Sequence, residues 1–231
     1  MYKIFIDPGH GGRDPGAVGN GMREADIALE VSKRMRDILE GAGLDVMLSR
    51  DEDVSVGINE RWQMANRWSA DYLISIHVNA GRGTGAETLY AHSNALSFAR
   101  AMQDGYSNEM KLVNRRVWHR SDVGVLRHSI CPGVLVELAF IDSPPHNPDI
   151  EILRSKRDEM SQALANALIK YLEIDLKKEG RFATVGEVPL WGRATIEKMV
   201  NQGLLKGGGD GLDLSMDMVR TFVILSRAGI L

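Results

Sequence analysis

Four side chains have the types and the positions needed to bind a metal ion and activate water: His10, Glu24, His77 and Glu137. Both histidines lie at the carboxyl ends of predicted strands. Ligands of open α/β sheets bind at such ends, so we expect His10 and His77 at one edge of the sheet. Glu24 lies where the chain leaving His10 enters the first long predicted helix, close enough in sequence to return to that edge.

Two imidazoles and a carboxylate form the ligand set of a catalytic zinc ion, which keeps a fourth position open for water. We therefore predict that His10, Glu24 and His77 bind zinc. For either histidine alone, the alternative is a polar residue at a strand end whose hydrogen bonds are satisfied by the protein.

Glu137 interrupts the apolar run VLVELAF. An ionised carboxylate in such surroundings is costly unless it has a partner. A salt bridge to an arginine such as Arg61 or Arg127 is one interpretation. The other is a position beside metal-activated water, where Glu137 would act as general base.

The segment DPGHGGRDPGA, residues 7–17, is rich in glycine but does not fit a phosphate-binding loop. It lacks the Gly-Lys-Ser/Thr ending of nucleoside triphosphatases, and prolines interrupt it where a dinucleotide fingerprint would open a helix. We interpret the glycines of residues 9–12 as giving the backbone freedom to present His10 to a cation.

Two further polar residues are predicted to bind substrate. Asn79, two residues after His77, is expected on the same side of its strand, although a role in a strand-end turn is the alternative. Arg127 follows a loop and could meet a peptide carboxylate through its forked donors, the alternative being a solvated arginine.

Apolar runs of strand length alternate with amphipathic helical stretches, which is typical of an α/β fold with a mostly parallel or mixed twisted sheet flanked by helices. The predicted strands are KIFID, DVMLS, YLISIHVNA, ETLYAH and GVLVELAFI, and one long helix is predicted over residues 148–174. We assign residues 1–174 to a catalytic domain.

The pattern changes after residue 174. Residues 175–189, DLKKEGRFATVGEVP, have no sustained period and predict a linker. Residues 190–231 predict two short helices around a glycine-rich loop, a small all-α module. So short a module buries little surface, and we expect it to pack on the main domain or on a second copy of itself.

Composition excludes several classes of protein. The 231 residues carry a net charge of −3, which argues against nucleic acid as a partner. No segment is long and apolar enough to span a membrane. The single Cys131 excludes an internal disulfide framework. No secretory leader is visible, so we expect synthesis in the cytoplasm and another route to any substrate outside it.

Four motifs, IDPGHGGRDPGA, READIAL, ISIHVNA and GVLVELAFI, resemble in order and separation the signature of the zinc-dependent N-acetylmuramoyl-L-alanine amidases of the amidase-3 family. The resemblance covers about residues 1–174. It implies that His10, Glu24 and His77 are the metal ligands and that Glu137 is catalytic. It also implies peptidoglycan as substrate, cleaved at the amide between the lactyl group of N-acetylmuramic acid and L-alanine.

Residues 190–231 resemble, more loosely, a single S-layer-homology-type repeat, with DLSMDMVR where a proline is often found. This resemblance implies attachment to a secondary cell-wall polymer. The alternative is a helical hairpin used for packing or for forming a homodimer.

An amidase with a wall-binding tail and no leader is typical of bacteriophage endolysins of Gram-positive hosts. Such proteins accumulate in the cytoplasm and act on the bacterial cell wall. A bacterial autolysin or sporulation amidase is the second hypothesis. A zinc peptidase that cuts within the stem peptide stays open, because the same metal and base would serve any amide. A wall-binding protein without activity is the non-enzymatic alternative, against which the four intact chemistry positions count.

Overall fold

The computed structural model describes residues 1–174, 182–207, 211–212, 214–227 and 230. The chain divides into two compact units, one of Met1–Leu39 and Leu44–Ile174 and one of Glu40–Gly43 and Asp175–Leu231. In the described part of the chain, no helix combines the length and the apolar character needed to cross a membrane.

Strands and helices alternate along the chain up to residue 174. The strands are β1 (Lys3–Pro8), β2 (Val18–Gly19), β3 (Met22–Arg23), β4 (Asp45–Leu48), β5 (Tyr72–Asn79), β6 (Ala86–Tyr90), β7 (Asn114–His119) and β8 (Gly133–Phe140). The helices are α1 (Glu24–Gly41), α2 (Ile58–Trp68), α3 (Leu96–Met110), α4 (Gly124–Arg127), α5 (Pro148–Ser155) and α6 (Arg157–Tyr171).

The main sheet has six strands in the order β4-β1-β5-β8-β6-β7. The first four strands in this order are parallel, β6 runs antiparallel to β8, and β7 runs parallel to β6. The predicted α/β fold with a mostly parallel or mixed sheet is therefore confirmed. The carboxyl ends of β1, β5 and β8 meet at one edge, together with the amino ends of β6 and β7.

Helices pack on both faces of the sheet. Thr88 of β6 donates a hydrogen bond to Gln103 of α3 at 2.8 Å, which places α3 on the face of Thr88. On the opposite face, Leu73 of β5 and Leu135 of β8 share a core cluster with residues of α2 and α4. Because side chains alternate along a strand, His77 lies on the same face as Leu73, and Glu137 on the same face as Leu135.

The structure differs from the predicted elements in a few places. The single helix predicted over residues 148–174 is two helices, because the backbone at Lys156 (φ −117°, ψ 38°) leaves the helical region. No glycine or proline marks this break in the sequence. The β2–β3 hairpin, the edge strand β7 and the short helix α4 were not predicted.

The second unit contains α7 (Leu190–Asn201) and α8 (Met216–Arg227). Its small core is formed by Val188, Ile196, Met199, Leu214 and Val219. Of the predicted linker, residues 175–181 lie outside the described residues. Residues 182–189 are part of this unit, because Val188 is buried in its core and Phe182 forms a β-bridge with Leu214.

Asp149 of α5 forms hydrogen bonds to two strands at the edge of the sheet where the polar residues lie. It is fully buried. Its carboxylate accepts hydrogen bonds from the backbone N–H groups of Gly85 and Phe140 and from the hydroxyl of Thr84, each at 2.9 Å. It thereby ties the beginning of β6 to the end of β8.

We expect Asp149→Ala to lower the free energy of unfolding by about 2–5 kcal/mol, because two buried N–H groups lose their acceptor. Urea denaturation of the full chain measures this loss. Glu151→Ala, which removes an exposed acid from the same helix, is the matched control and should change stability by about 0.5 kcal/mol or less. Equal stabilities of the two variants would contradict this role.

Candidate metal centre

The predicted ligands His10, Glu24 and His77 come together at the sheet edge. His10 follows β1, Glu24 is the first residue of α1, and His77 lies near the end of β5. One potential ligand atom from each lies within 4.8 Å of the others. A zinc ion binds imidazole nitrogen at about 2.0–2.1 Å and carboxylate oxygen at about 2.0–2.2 Å, so this spacing suits one shared ion.

Glu24 is the central member of the cluster. Its Oε1 atom lies 3.1 Å from Nε2 of His10 and 2.8 Å from Nδ1 of His77. Backbone N–H groups also fix this carboxylate, since Val78 donates to Oε1 at 3.0 Å and Ala17 donates to Oε2 at 2.8 Å. The carboxylate is therefore held in place before any ion binds.

Asp14 orients the imidazole of His10. Its Oδ2 atom lies 2.8 Å from Nδ1 of His10, and its Oδ1 atom accepts a hydrogen bond from the backbone of Gly16 at 3.0 Å. A carboxylate on the far nitrogen of a ligand histidine fixes the tautomer and the ring orientation. Nε2 of His10 is thereby directed toward Glu24.

The pKa shifts of His10 and Glu24 indicate that positive charge stabilises the cluster. The hydrogen bond to Glu24 raises the pKa of His10 to about 9. Burial alone would raise the pKa of Glu24, but hydrogen bonds from His10 and His77 hold it well below its ordinary value. In the metal-free protein at neutral pH, a proton on His10 thus supplies charge that a metal ion would replace.

Two glycines lie so close to the cluster that a side chain at either position would overlap with it. A Cβ atom on Gly9 would lie 2.4 Å from the ring of His77. A Cβ atom on Gly16 would lie 2.6 Å from Oε2 of Glu24 and 2.7 Å from the ring of His10. Larger residues at either position would displace the ligands.

The loop after β1 has a left-handed backbone over three consecutive residues. The φ angles are 59° at His10, 121° at Gly11 and 61° at Gly12. Gly11 and Gly12 thus supply the freedom predicted from the sequence. His10 adopts this conformation without being glycine, so other contacts must stabilise it.

Two buried arginines provide those contacts. Arg50 donates hydrogen bonds to the carbonyl oxygens of Pro8 (3.0 Å) and Gly9 (2.7 Å). Arg61 donates to the carbonyl oxygens of Pro8 and His10, both at 2.6 Å. The backbone on both sides of the ligand is thus anchored by charged donors.

Asp7 neutralises one of these arginines. Arg61 donates to its Oδ1 atom at 2.7 Å, and Ser49 and Ser75 donate hydroxyl hydrogen bonds to the same carboxylate. Burial alone would raise the pKa of Asp7, but Arg61 and the two hydroxyls lower it below its ordinary value. The arginine predicted as one partner of Glu137 is therefore engaged elsewhere.

Glu137 lies beside the cluster without a hydrogen-bond partner for one oxygen. It is the register partner of His77 on the neighbouring parallel strand. Its Oε2 atom is buried and forms no hydrogen bond within the described residues. Burial raises the pKa of this carboxyl to about 7. Neither arginine proposed for a salt bridge contacts it, so the geometry favours a role in chemistry.

The two predicted substrate-binding residues lie in different places. Asn79 ends β5 near the cluster, and its amide donates to Oε1 of Glu87 at 2.7 Å. Arg127 is exposed and lines a separate depression with His92 and Asp122. The structure thus brings Asn79 but not Arg127 to the metal ligands.

A cavity of about 180 Å³ opens beside the two histidines. Its lining combines their rings with apolar side chains, Val56, Ile58, Val123, Val125 and Leu135. Such a mixed polar and apolar lining is typical of a small-molecule site.

Several residues of the site were not predicted from the sequence. Asp14, four residues after His10, could have been found as a carboxylate in the same loop. The roles of Asp7, Arg50 and Glu87 depend on contacts with distant strands and loops, for which a single sequence carries no signal.

The similarity to known proteins lies mainly in the first of the two compact units. The profile of the family described as Amidase_3, N-acetylmuramoyl-L-alanine amidase, matches residues 4–170. The sporulation-specific N-acetylmuramoyl-L-alanine amidase of Bacillus subtilis (strain 168) is 41% identical, over 62% of this chain and 58% of that protein. The chain therefore spans less than two thirds of the length of this relative.

The chain is also similar to a phage endolysin and to a solved amidase structure. The endolysin of Bacillus phage SPP1 is 31% identical, over 90% of this chain and 78% of that protein. The solved structure of the N-acetylmuramoyl-L-alanine amidase AmiC2 of Nostoc punctiforme superposes with a TM-score of 0.70 and 32% identity, covering 74% of this chain and 97% of that chain.

We expect His10→Ala and His77→Ala to abolish zinc binding, because each removes one of three ligands. Metal content after desalting, together with calorimetric titration of zinc, measures this loss. Glu137→Gln should bind zinc as the wild type does, and His146→Ala, at an exposed histidine, is the matched control. Undiminished zinc binding by both ligand variants would contradict the assignment.

Asp14→Ala should weaken zinc binding by about 10- to 100-fold, because the imidazole of His10 loses the group that orients it. Competition with a chelator of known affinity measures the change. Asp122→Ala removes an exposed aspartate outside the cluster and should leave the affinity unchanged. If the two variants bound zinc equally well, Asp14 would have no part in the centre.

Proposed function

The chain belongs to the N-acetylmuramoyl-L-alanine amidase family, and from this membership we propose that it hydrolyses peptidoglycan at the amide between the lactyl group of N-acetylmuramic acid and L-alanine. The resemblance of the four sequence motifs to this family is confirmed by the profile match over residues 4–170. The bond cleaved by this particular chain, its metal and its partners are parts of the proposal.

One observation carries the proposal. The three predicted ligand atoms lie within 4.8 Å of one another, and Glu137 on the neighbouring strand has a buried carboxyl oxygen that forms no hydrogen bond with any residue the structure describes. Structural ion pairs do not leave such an oxygen unpaired, since an unsatisfied buried acceptor is costly. A general base, whose carboxylate contacts water and substrate during the reaction, would account for this unpaired oxygen.

We propose zinc as the ion held by His10, Glu24 and His77. Two imidazoles and one carboxylate with an open position suit catalytic zinc. Gly9 and Gly16 keep side chains out of the space between these ligands, which supports a bound ion. When bound, zinc supplies a Lewis acid that polarises a carbonyl and lowers the pKa of water.

Glu137 moves the proton. Its carboxylate takes a proton from the attacking water as the water oxygen bonds to the lactyl carbonyl carbon. The carbon–nitrogen bond then breaks, and Glu137 gives the proton to the leaving nitrogen of L-alanine. The products are a lactyl carboxylic acid and a free α-amine, and at neutral pH the acid loses its proton and the amine gains one. In the metal-free protein, burial raises the pKa of Glu137 to about 7, so this carboxyl both takes up and releases a proton near neutral pH.

We propose that the chain is a phage or prophage endolysin. The match to the SPP1 endolysin covers 90% of this chain, so it extends past residue 174. The match to the sporulation amidase covers only 62%. A bacterial autolysin or sporulation amidase is the second candidate, supported by the higher identity of that shorter match. For the endolysin, we propose synthesis in the cytoplasm and action on the cell wall.

We propose that residues 190–231 attach the protein to a secondary cell-wall polymer. The second unit has its own small core, which supports a separate binding role. Formation of a homodimer through the same helices is the alternative use of this unit.

Digestion of purified peptidoglycan should release new N-terminal alanine without new reducing sugar. Glu137→Gln should retain zinc but lose about 10²- to 10⁴-fold in turnover, because the proton carrier is removed. Amine labelling with chiral analysis of the labelled residues, run beside a reducing-sugar assay, gives both readouts.

Glu159→Gln, at an exposed glutamate, is the matched control and should hydrolyse at the wild-type rate. New N-termini of D-amino acids would show cleavage within the stem peptide, and new reducing ends would show cleavage of the glycan. Wild-type turnover by Glu137→Gln would remove the proposed mechanism.

A further inference from the structure

A row of polar side chains continues from the metal centre across the reversed strands of the sheet. Glu137 of β8 is in register with His77 on one side and with Glu87 of β6 on the other. Glu87 accepts a hydrogen bond through Oε2 from Nε of Arg115 on β7, at 2.9 Å. The row therefore leads from the proposed base to an arginine on the edge strand.

Arg115 is fixed in position but remains open to solvent. Its guanidinium lies over the ring of Phe140, 4.9 Å from the ring centre. Glu87, which holds Nε of Arg115, is itself held by Asn79 at 2.7 Å. The Arg115 side chain is 38% exposed, against 16% for Glu87. Within the described residues its terminal nitrogens donate to no protein acceptor, so they are available to a ligand.

The backbone around Arg115 departs from regular β-strand geometry. The register of β6 and β7 shifts between Ala86 and Thr88, and Arg116 has a φ of 72°. A register shift interrupts the strand ladder locally, and a positive φ at a non-glycine residue is uncommon. The irregularity accompanies the contact of Arg115 with Glu87.

Building on the proposed function, we propose that Arg115 binds the free α-carboxylate of the second stem-peptide residue and makes the enzyme selective for it. On the glycan side of the scissile bond the lactyl carboxyl is consumed in the amide, so the nearest carboxylates belong to the peptide. An arginine with two free nitrogens matches a carboxylate through paired charge-assisted hydrogen bonds.

The distances agree with this assignment. Neighbouring strands lie about 4.8 Å apart, which places the backbone of Arg115 about 10 Å from that of Glu137. A peptide chain advances about 3.3–3.6 Å per residue, so the second residue lies about 7 Å from the amide that is cut. Because Arg115 donates to Glu87, its guanidinium lies on the β8 side of β7, toward the position that the proposal gives to this carboxylate.

The test compares one purified peptidoglycan before and after enzymatic amidation of the α-carboxylate at the second stem residue. Wild type should cleave the acid form with about 10- to 100-fold higher kcat/KM than the amidated form. Arg115→Met should lose this preference by slowing on the acid form, while its rate on the amidated form stays near the wild-type rate. Arg115→Lys, which keeps the charge, should recover part of the preference.

Two variants and a melting measurement complete the experiment. Arg116→Met, at the exposed neighbouring arginine, is the matched control and should keep the full preference. Arg127→Met tests the other arginine predicted to bind a peptide carboxylate. Thermal melting of each variant separates a binding defect from a folding defect.

The outcomes distinguish this inference from the proposed function. If wild type cleaves the lactyl–alanine amide in neither form, the proposed function fails and the inference fails with it. If wild type cleaves both forms equally, or Arg115→Met keeps the preference, the inference is overturned and the amidase function stands. Equal slowing of Arg115→Met on both forms, or loss of preference in Arg127→Met instead, also overturns it.

Discussion

The proposed metal centre depends on one buried carboxylate that is shared by two imidazoles. Glu24 is only 4% exposed, and an ionised group at such a position is unfavourable without compensating positive charge. Two backbone N–H groups and both rings compensate it, and His10, whose two nitrogens face Asp14 and Glu24, needs an added proton or an ion to do so. The cluster therefore forms only when three segments are correctly placed: the loop after β1, the start of α1 and the end of β5. Each segment depends on the other two for its stability at the sheet edge.

The buried arginines extend this constraint into the fold. Arg50 and Arg61 bind the carbonyl oxygens around His10, and Asp7 neutralises Arg61 from inside β1. Removing one partner of such a group leaves a buried charge, which is strongly destabilising. Stability and ligand geometry therefore rest on the same contacts. The left-handed backbone at His10 is held by this network and not by glycine alone.

The sequence predicted the parts of the site that follow from strand ends and motifs. His10 and His77 end neighbouring parallel strands, and Glu24 begins the next helix, so their convergence follows from the topology of α/β sheets. The sequence did not predict the direction of β6, because a strand pattern carries no information about strand orientation, and it did not predict β7 as a strand. Glu87 was missed for the first reason and Arg115 for the second, since both reach the edge from the beginnings of strands that run antiparallel to β8. Likewise, no glycine or proline marked the break at Lys156.

The reversed pair of strands also divides the site along the chain. The proposed metal ligands come from residues up to 77 and the proposed base is residue 137, whereas Glu87 and Arg115 both lie in the stretch between β5 and β8. This stretch is continuous in sequence and contains β6, α3, β7 and α4. Exchange of this segment between related enzymes would therefore change Glu87 and Arg115 while every proposed metal ligand stays in its own segment. Two crossover points, one after β5 and one before β8, would suffice to exchange this whole segment.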